Sequence, residues 1–333
     1  MKIAIFEAEP WEQDLFSRLD RENEILFRKE PLSISNAAGF ADVQIISTFI
    51  YSSLGEDVLR LLPSLELIAT RSTGFDHIAL GYCRDHDIKI SNVPSYGSCT
   101  VAEHVFGLIL TISRRLTEAI DRTRSGNFSL EGLKGFDLHG KVLGVIGTGN
   151  IGLCVIRIAR GFDMEVVAFD VKRRDDIARG MGFTYLDMSE LLRRSDIITL
   201  HVPASEKTRN LISFDQFEIM KQGAIIINTS RGSLVNVEAL LSALAGGRVS
   251  AAGLDVLPEE PVIREEAELL RSIFQRRHNL EALLADQVLL RMRNVYITPH
   301  SAFYTQEALL DILNTTVENI EAFVRGSPMN LVP

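Results

Sequence analysis

An arginine, a glutamate and a histidine stand at the ends of three runs of β-forming residues. Arg231 closes "IIINTSR", Glu260 lies in "GLDVLPEEP", and His300 follows "VYITP". An arginine can hold planar carboxylate and carbonyl oxygens in a bidentate manner. The pKa of a histidine lies near neutral pH, and a neighbouring glutamate would raise it, so that the ring can donate a proton. The three residue types suit the reduction of a 2-keto acid, in which positioned acid–base catalysis contributes a rate factor of about 10²–10⁴.

Each of these residues also has an ordinary structural interpretation. A single arginine after a strand often forms a surface salt bridge, "PEEP" alone is a solvated turn, and a histidine after proline can cap the next helix. Ligands of an open parallel sheet bind beyond the carboxyl ends of its strands, which adds His201, Asp255 and His77 as candidates. The histidines without a strand-end position are interpreted as structural or surface residues: His86, His104, His139 and His278.

The candidate residues need a sheet that brings them together, and the sequence predicts parallel sheets. Continuous apolar runs such as "KIAIF", "KVLGVIG" and "AIIINTS" alternate with amphipathic helical stretches, which is typical of strands buried on both faces. One long helical pattern over 101–124 separates an N-terminal group of strands from a second group that starts at Lys141. Thr100 and Glu103 have the spacing of a capping box at the start of this helix.

A glycine-rich loop connects the strand "KVLGVIG" to the next helical stretch. Gly147, Gly149 and Gly152 form the pattern G-x-G-x-x-G, which permits a tight turn, a close approach of pyrophosphate to the backbone, and packing of helix on strand. The N-terminus of that helix offers N–H groups to phosphates. A second strand, "EVVAFD", ends in Asp170 about twenty residues further on, where a carboxylate reaches a ribose 2′-hydroxyl. The pattern predicts dinucleotide binding.

Asp170 also favours NAD over NADP, because a carboxylate accepts a hydrogen bond from the 2′-hydroxyl and repels a 2′-phosphate. Lys172, Arg173 and Arg174 follow and could hold that phosphate instead, although they also fit a solvated loop after the strand. The sequence therefore predicts NAD as the cofactor.

The segment after the last strand indicates a discontinuous domain. Residues 301–333 form mostly one amphipathic helix, and a chain of under about 40 residues rarely folds unaided, so we expect it to return to the N-terminal strands. The predicted fold is α/β with two Rossmann-like parallel-sheet domains and a substrate cleft between them. The outer one is flavodoxin-like, binds substrate and comprises 1–99 plus 301–333. The inner one is doubly wound, binds NAD and comprises 100–300.

Composition excludes several other classes of protein. The 333 residues carry a formal net charge of −9, which argues against a nucleic-acid-binding face. No uncharged apolar run approaches the roughly 18 residues that span a membrane, and the N-terminus lacks the shape of a signal peptide. Cys83, Cys99 and Cys154 have no metal-ligand spacing, so we expect reduced thiols, no metal and a cytoplasmic protein.

Across these residues the chain resembles the NAD-dependent D-2-hydroxyacid dehydrogenase family. The resemblance covers essentially the whole chain and is most specific over 65–110 and 140–305. There "RSTGFDHIAL", "NVPSYGSCTVAEH", "GVIGTGNIG", "LHVP", "INTSRGSLV", "GLDVLPEEP" and "ITPHSAFYT" follow one another in the family's order. It implies an NAD-dependent oxidoreductase with an active site in the cleft between two similar α/β domains, and a homodimer formed largely through the NAD domain.

The resemblance implies a role for each catalytic candidate. Arg231 would bind the substrate, and His300 would be the acid–base group paired with Glu260. The backbone N–H groups of Thr73 and Gly74 would hold the substrate carboxylate.

The resemblance also implies a set of cofactor contacts. It makes His201 a cofactor neighbour rather than a rival catalyst, and it makes Asp255 the residue that holds the nicotinamide carboxamide. The full set is Gly147, Gly149, Asn150, Ile151, Gly152, Asp170, His201, Val202, Pro203, Thr229, Ser230 and Asp255.

Within the family, "TPHSAFYT" resembles the D-lactate dehydrogenase branch. There an aromatic residue three positions after the histidine helps to enclose the substrate, and Phe303 takes that place. Tyr51 in "STFIYSSL" and Tyr96 in "NVPSYGS" match further substrate-side aromatics of the branch. A small apolar pocket suits the methyl group of pyruvate, so the expected reaction interconverts pyruvate and D-lactate.

Two departures from that branch leave alternatives open. "YGSCTVAEH" is closer to glyoxylate-, hydroxypyruvate- or phosphoglycerate-type members, although a phosphoglycerate-type enzyme needs a cationic pocket where this chain has aromatics. The segment 262–293 is longer and more charged than in most members and is expected to form surface helices beside the site. A different class, the NAD-sensing corepressor-like binding proteins, shares the fold and the catalytic triad.

Overall fold

The computed structural model describes residues 1–19, 23–257 and 287–332, which form two compact units. The first unit consists of Met1–Gly97 and Tyr304–Pro333, and the second of Ser98–Phe303. Each unit is built on one parallel β-sheet, which confirms the predicted α/β class. Among the described helices, none combines the length and the apolar character that crossing a membrane requires.

The described residues of the first unit form five strands and short connecting helices. Its strands are β1 (Lys2–Ile5), β2 (Glu24–Phe27), β3 (Ile45–Thr48), β4 (Leu67–Thr70) and β5 (Lys89–Ser91), and its first α-helices are α1 (Gln13–Phe16), α2 (Glu56–Leu59) and α3 (Leu80–Asp85). The strand order β2-β1-β3-β4-β5 is that of a flavodoxin-like domain. Ile3 and Ile5 pack into one hydrophobic cluster, whereas Ala4 and Phe6 pack into another. The sheet is therefore buried on both faces, as its unbroken apolar strands predict.

The described residues of the second unit form seven strands, with helices between them. Its strands are β6 (Val142–Ile146), β7 (Glu165–Phe169), β8 (Thr184–Tyr185), β9 (Ile197–Leu200), β10 (Ala224–Asn228), β11 (Val249–Leu254) and β12 (Val295–Ile297). Its helices are α4 (Ser98–Arg114), α5 (Leu116–Arg124), α6 (Asn150–Gly161), α7 (Asp175–Met181), α8 (Met188–Arg194), α9 (Phe214–Ile219) and α10 (Val237–Ala245). The strand order is β12-β11-β10-β9-β6-β7-β8. The direction of winding reverses between β6 and β9, and ligands of doubly wound sheets bind beyond the carboxyl ends of strands at such a point.

The last helix, α11 (Gln306–Val324), contributes to the core of the first unit. The Thr305 side chain caps it by accepting a hydrogen bond from a first-turn N–H at 3.3 Å. Leu313, Val317 and Ile320 are at most 1% exposed and pack against one face of the five-stranded sheet. Burying a side chain of this kind contributes about 2 kcal/mol, so the C-terminal segment is part of the N-terminal core.

The long helix predicted over 101–124 is in fact two helices, so that prediction was wrong. Arg115 has φ 49°, in the left-handed region, where α4 ends and α5 begins. Because α4 already begins at Ser98, Thr100 lies inside its first turn and is not the predicted capping residue.

Candidate active site

The glycine loop between β6 and α6 is shaped by two close approaches. Gly147 has φ 99°, and a Cβ atom there would lie 2.4 Å from the carbonyl oxygen of His201. A Cβ atom on Gly152 would lie 2.0 Å from the carbonyl oxygen of Gly147. Neither position has room for a side chain. The resulting turn follows the carboxyl end of β6, and α6 begins after it with Asn150 and Ile151.

Two further observations fit a dinucleotide beside this loop. A Cβ atom on Gly149 would meet nothing within 4 Å, so the backbone there has the open space that a close approach of pyrophosphate requires. After β10, the buried hydroxyl of Thr229 has no hydrogen-bond partner in the part of the chain that the structure describes. A buried polar group is normally paired, so this hydroxyl is suited to a cofactor atom.

Asp170 lies directly after β7, with its carboxylate turned towards the glycine loop. Oδ2 accepts hydrogen bonds from the backbone N–H of Thr148 at 2.7 Å and from its hydroxyl at 2.9 Å, and Oδ1 accepts from the N–H of Lys172 at 2.8 Å. Burial by itself raises the pKa of Asp170, but these bonds and the charge of Arg174 outweigh it and keep the pKa below its ordinary value. The carboxylate is thus charged at neutral pH, as recognition of a 2′-hydroxyl requires.

The two arginines after Asp170 are engaged within the chain. The Arg174 guanidinium donates to the carbonyl oxygen of Thr148, and Arg173 donates to Asp187 at 3.0 Å. These two arginines therefore already have acceptors other than a 2′-phosphate.

His201 follows β9 and is half-buried. Burial lowers the pKa of His201 to about 3, so the ring is neutral near pH 7. Nε2 lies 2.9 Å from the hydroxyl of Thr199, and the backbone N–H donates to the carbonyl oxygen of Ile146 at 2.7 Å. A ring that stays neutral cannot donate a proton at neutral pH, which removes His201 as a rival to His300.

The remaining predicted cofactor contacts lie at the same carboxyl edge of the seven-stranded sheet. The hydroxyl of Ser230 donates to the carbonyl oxygen of Val202 at 2.6 Å and joins the ends of β9 and β10. The carbonyl oxygen of Pro203 accepts from the hydroxyl of Thr208 at 2.7 Å. These bonds hold the two loops in fixed positions beside the glycine loop.

Arg231 sits on a turn that Asn228 organises. The side-chain amide of Asn228 donates to the carbonyl oxygen of Arg231 at 2.9 Å and accepts from the N–H of Ser230 at 3.0 Å. Asn228 is 1% exposed, and the guanidinium of Arg231 donates to the carbonyl oxygen of Ser230 at 2.9 Å. The turn positions the Arg231 backbone at the end of β10.

His300 occupies a left-handed turn directly after β12. Its φ is 53°, which is uncommon for a residue other than glycine, and its N–H donates to the carbonyl oxygen of Thr298 at 2.9 Å. The Phe303 ring stands edge-on to the imidazole, with ring centroids 6.4 Å apart. The structure thus brings together the two residues proposed as proton donor and substrate-side aromatic.

Asp255 holds the turn that carries His300. Its fully buried carboxylate accepts hydrogen bonds from the N–H groups of Ser301 and Ala302, each at 2.9 Å, and from the hydroxyl of Thr298. Nε2 of His104, on α4, lies 3.0 Å from that hydroxyl and 3.5 Å from Oδ1 of Asp255. Both carboxylate oxygens are therefore used inside the chain, and the carboxamide contact implied by the resemblance stays a prediction.

Glu260 lies outside the described residues, as does the part of the predicted surface segment that runs from 262 to 286. The pairing of Glu260 with His300 and the surface helices therefore remain predictions.

In the first unit, the turn after β4 presents two backbone donors. The carbonyl oxygen of Thr73 accepts a hydrogen bond from the side-chain amide of Asn92 at 2.8 Å. The Thr73 hydroxyl donates to the carbonyl oxygen of Val93 at 2.8 Å. The carbonyl oxygen of Gly74 accepts from the hydroxyl of Ser72 at 2.6 Å. Neither the Thr73 N–H nor the Gly74 N–H donates to another described residue. Two adjacent N–H groups on a braced turn suit a carboxylate.

The two tyrosines that the resemblance places on the substrate side also lie in loops of the first unit. Tyr51 follows β3 and is 58% exposed, and its ring stands edge-on to Phe49. Its N–H donates to the Glu7 carboxylate at 3.0 Å, which also accepts from the N–H and hydroxyl of Ser52. Tyr96 is half-buried in the loop before α4.

Sequence reasoning missed the residues that support the site. Asn228, Asn92 and Thr298 each brace a turn that carries a candidate, and His104 connects α4 to the His300 turn. Asn228 had a usable signal, because it is the last residue of the apolar strand β10, three positions before Arg231. For His104 the sequence held no such signal, since its partners are 151 or more positions away.

The doubly wound sheet, the glycine loop and Asp170 define an NAD-binding domain of an oxidoreductase. A family model described as "D-isomer specific 2-hydroxyacid dehydrogenase, NAD binding domain" matches residues 106–302. The chain therefore belongs to the D-2-hydroxyacid dehydrogenase family, and it is an NAD-dependent enzyme.

Similar proteins cover nearly the whole chain. A D-lactate dehydrogenase of Escherichia coli is 33% identical over 98% of this chain and 98% of its own length. A glyoxylate reductase of Korarchaeum cryptofilum is 32% identical over 87% of this chain and 83% of its own. The structure of a D-lactate dehydrogenase from Aquifex aeolicus, complexed with NAD and lactic acid, superposes with a TM-score of 0.87 at 34% identity, covering 98% and 96% of the two chains.

Proposed function

We propose that this enzyme interconverts pyruvate and D-lactate. The observation that carries the proposal is the His300 turn, where a left-handed backbone is held by three hydrogen bonds to the buried carboxylate of Asp255. Such a conformation costs about 1–3 kcal/mol and persists where the surroundings over-determine it, which is typical of functional sites. It supports a role in which the imidazole must be held in one position.

Under this proposal each unit has its own task. The first unit binds the substrate, whose carboxylate accepts hydrogen bonds from the N–H groups of Thr73 and Gly74. In the second unit, Arg231 binds the carboxylate and carbonyl oxygens, and His300 donates its proton to the carbonyl oxygen. Glu260 pairs with the imidazole of His300, as the resemblance implies. NADH supplies the hydride when it is bound.

Aromatic residues support pyruvate as the preferred substrate. Phe303 lies beside His300, so its ring can cover a small apolar group next to the reacting carbonyl. The resemblance gives Tyr51 and Tyr96 as further substrate-side aromatics. The D-lactate dehydrogenases among the similar proteins support the same choice.

A keto-acid panel tests the proposal, with pyruvate, glyoxylate, hydroxypyruvate and 2-ketobutyrate offered to NADH and NADPH in parallel. We expect the highest kcat/KM with pyruvate and NADH, and a loss of about 10²–10⁴ in kcat for His300→Ala. If none of the four acids consumes NADH, the proposal fails.

The second candidate is a glyoxylate or hydroxypyruvate reductase. The glyoxylate reductase among the relatives and the "YGSCTVAEH" sequence favour it. A higher kcat/KM with glyoxylate or hydroxypyruvate than with pyruvate would establish this alternative. Binding of a protein partner that depends on NADH, without turnover of any acid, would instead indicate a corepressor-like protein.

We also propose a homodimer formed through the NAD domain. Exposed apolar side chains at Leu116, Ile120, Phe128 and Leu130 support it, and the last two are 78% and 83% exposed. Apolar surface of this kind is typical of protein interfaces. Light scattering coupled to size exclusion should give twice the chain mass, and Phe128→Glu with Leu130→Glu should give the single-chain mass.

A further inference from the structure

Two of the three cysteines meet at a place that the proposed reaction does not use. Cys99 is the second residue of α4 and Cys154 lies on α6, and their sulfur atoms are 2.9 Å apart. A disulfide bond measures about 2.05 Å between sulfurs, so the pair needs only a small adjustment to become one. The third cysteine, Cys83, is buried in the core of the first unit.

The two sulfurs have different surroundings. Cys99 is exposed and lies in the first turn of α4, where the helix dipole favours negative charge. The Arg157 guanidinium donates to its sulfur at 2.9 Å. A neighbouring cation and a helix N-terminus are the environment of reactive cysteine thiolates. The geometry therefore makes Cys99 the sulfur that attacks an oxidant.

Cys154 is suited to the second step. It is less exposed than Cys99, and burial together with the hydrogen bond to Cys99 raises the pKa of its thiol to about 11. It thus keeps its proton while Cys99 reacts, and it lies next to any oxidised group formed on Cys99. Arg157 is also within reach, at 3.6 Å from the Cys154 sulfur.

We propose that Cys99 and Cys154 form a reversible oxidation site for peroxides, with Cys99 as the attacking and Cys154 as the resolving cysteine. The Cys99 thiolate attacks one oxygen of hydrogen peroxide, the O–O bond breaks, and hydroxide leaves, which oxidises the sulfur to sulfenic acid. The Cys154 sulfur then attacks the Cys99 sulfur. The S–O bond breaks, and the hydroxyl leaves with the Cys154 proton as water. Two thiols are oxidised, one peroxide is reduced to two waters, and a dithiol reductant reverses the change.

The disulfide would connect two helices of the NAD domain. α4 and α6 pack against each other through Val105, Phe106, Val155 and Ile156, which belong to one hydrophobic cluster. Cys154 lies two positions after Gly152, so the bond would tie the helix that follows the glycine loop to the start of α4. Oxidation would therefore act on the domain without touching Arg231 or His300.

The test treats the reduced full-length protein with a small excess of hydrogen peroxide and counts thiols after unfolding. We expect the three thiols of the chain to fall to one, and a peptide pair joined through Cys99 and Cys154 to appear by mass spectrometry and to vanish with dithiothreitol. Cys83→Ser serves as control, because it should still lose two thiols. If all three thiols survive, if Cys83 is the one consumed, or if only disulfides between chains form, the proposal is overturned.

Single variants separate the two roles. In Cys154→Ser the sulfenic acid on Cys99 cannot resolve, so dimedone should label Cys99, whereas the wild type should show little label. Cys99→Ser should keep both remaining thiols at the same dose. Arg157→Ala should slow disulfide formation about threefold or more, because it removes the cation beside the sulfur. Arg160→Ala, which changes an arginine on the same helix that donates to Met164 instead, should react at the wild-type rate.

Equal labelling of wild type and Cys154→Ser would overturn the resolving role, and an unchanged rate in Arg157→Ala would overturn the role of the guanidinium. Thermal melting of each variant confirms that it is folded before the thiols are counted, and Cys154→Ala replaces Cys154→Ser if the serine unfolds the domain. None of these readouts depends on turnover, so a failed keto-acid panel leaves this test intact.

Discussion

Replacing Asp255 with asparagine tests whether the His300 turn is held as the structure indicates. The amide keeps the shape of the side chain but has only one acceptor oxygen. In the wild type, Oδ1 accepts from the Thr298 hydroxyl and the Ser301 N–H, and Oδ2 accepts from the Ala302 N–H. Whichever way the amide turns, its NH₂ group faces one backbone N–H. One buried donor therefore loses its acceptor.

The size of the effect follows from this lost bond. Leaving a buried N–H unpaired costs about 1–3 kcal/mol. This loss is as large as the cost of about 1–3 kcal/mol for holding His300 in the left-handed region. The remaining hydrogen bonds then no longer outweigh the cost of the left-handed backbone. We therefore expect Asp255→Asn to lower the free energy of unfolding by about 1–3 kcal/mol. If that same energy is lost from the positioning of the proton donor, kcat falls roughly 5- to 150-fold.

Steady-state kinetics and denaturant unfolding measure both quantities. If Asp255 holds the turn, kcat falls while KM for NADH changes little. If it mainly holds the nicotinamide carboxamide, KM for NADH rises instead. Thr298→Val removes one donor and leaves both backbone pairs, so its effect should be smaller than that of Asp255→Asn. Asp121→Asn, at an exposed surface pair with Arg124, should change neither quantity. Wild-type kcat and stability in Asp255→Asn would refute this account of the turn.

Four other substitutions test three separate parts of the structure. Gly149→Ala has room for its methyl group, so the variant should fold normally and raise KM for NADH. In Gly152→Ala the methyl group would lie 2.0 Å from a backbone oxygen, so this variant should lose about 1–3 kcal/mol of stability in denaturant unfolding. The pKa of His201 is about 3 in the folded chain, below the ordinary 6.5, so only the unfolded chain binds a proton there as the pH falls from about 6.5 to 3. Wild type should therefore lose more stability than His201→Gln between pH 7 and pH 4.5 in urea unfolding. Phe303→Ala should lower kcat/KM for pyruvate about tenfold and reduce the preference for pyruvate over 2-ketobutyrate in initial-rate assays.

Each of these expectations has a contrary result. A Gly149→Ala variant with wild-type KM for NADH would show that the open space at that glycine is not where the cofactor approaches. Parallel loss of stability in wild type and His201→Gln would show that the imidazole is not desolvated. An unchanged ratio of the two keto acids in Phe303→Ala would remove this ring from the substrate pocket.

Much of the fold could be read from local sequence patterns. Strands buried on both faces leave unbroken apolar runs, and the order of strand, glycine loop and helix has few structural solutions, so β6 and α6 were predictable. The interruption at Arg115 was not predicted, because the helical stretch continues on both sides of it and only the backbone of Arg115 takes the left-handed conformation.

The candidate site likewise contains residues that the sequence could identify and roles that it could not show. Arg231, His300 and the glycine loop stand at strand ends, and position along the chain is enough to select them. The roles of Asp255 and His201 needed three dimensions, because a carboxylate used by three donors and a desolvated imidazole look the same in sequence as exposed ones.

The sequence by itself determined where most of the described strands lie, which residues stand at their carboxyl ends and which cofactor fits, because these properties follow from local periodicity and residue chemistry. The short strands β2, β5 and β8 were not predicted. Only the tertiary structure decided which of those residues touch. Cys99 contacts Cys154, 55 positions further along the chain, and His104 contacts Thr298, 194 positions further along. Contacts of that kind arise when helices and strands pack against one another, and no local pattern in the sequence encodes the register of that packing.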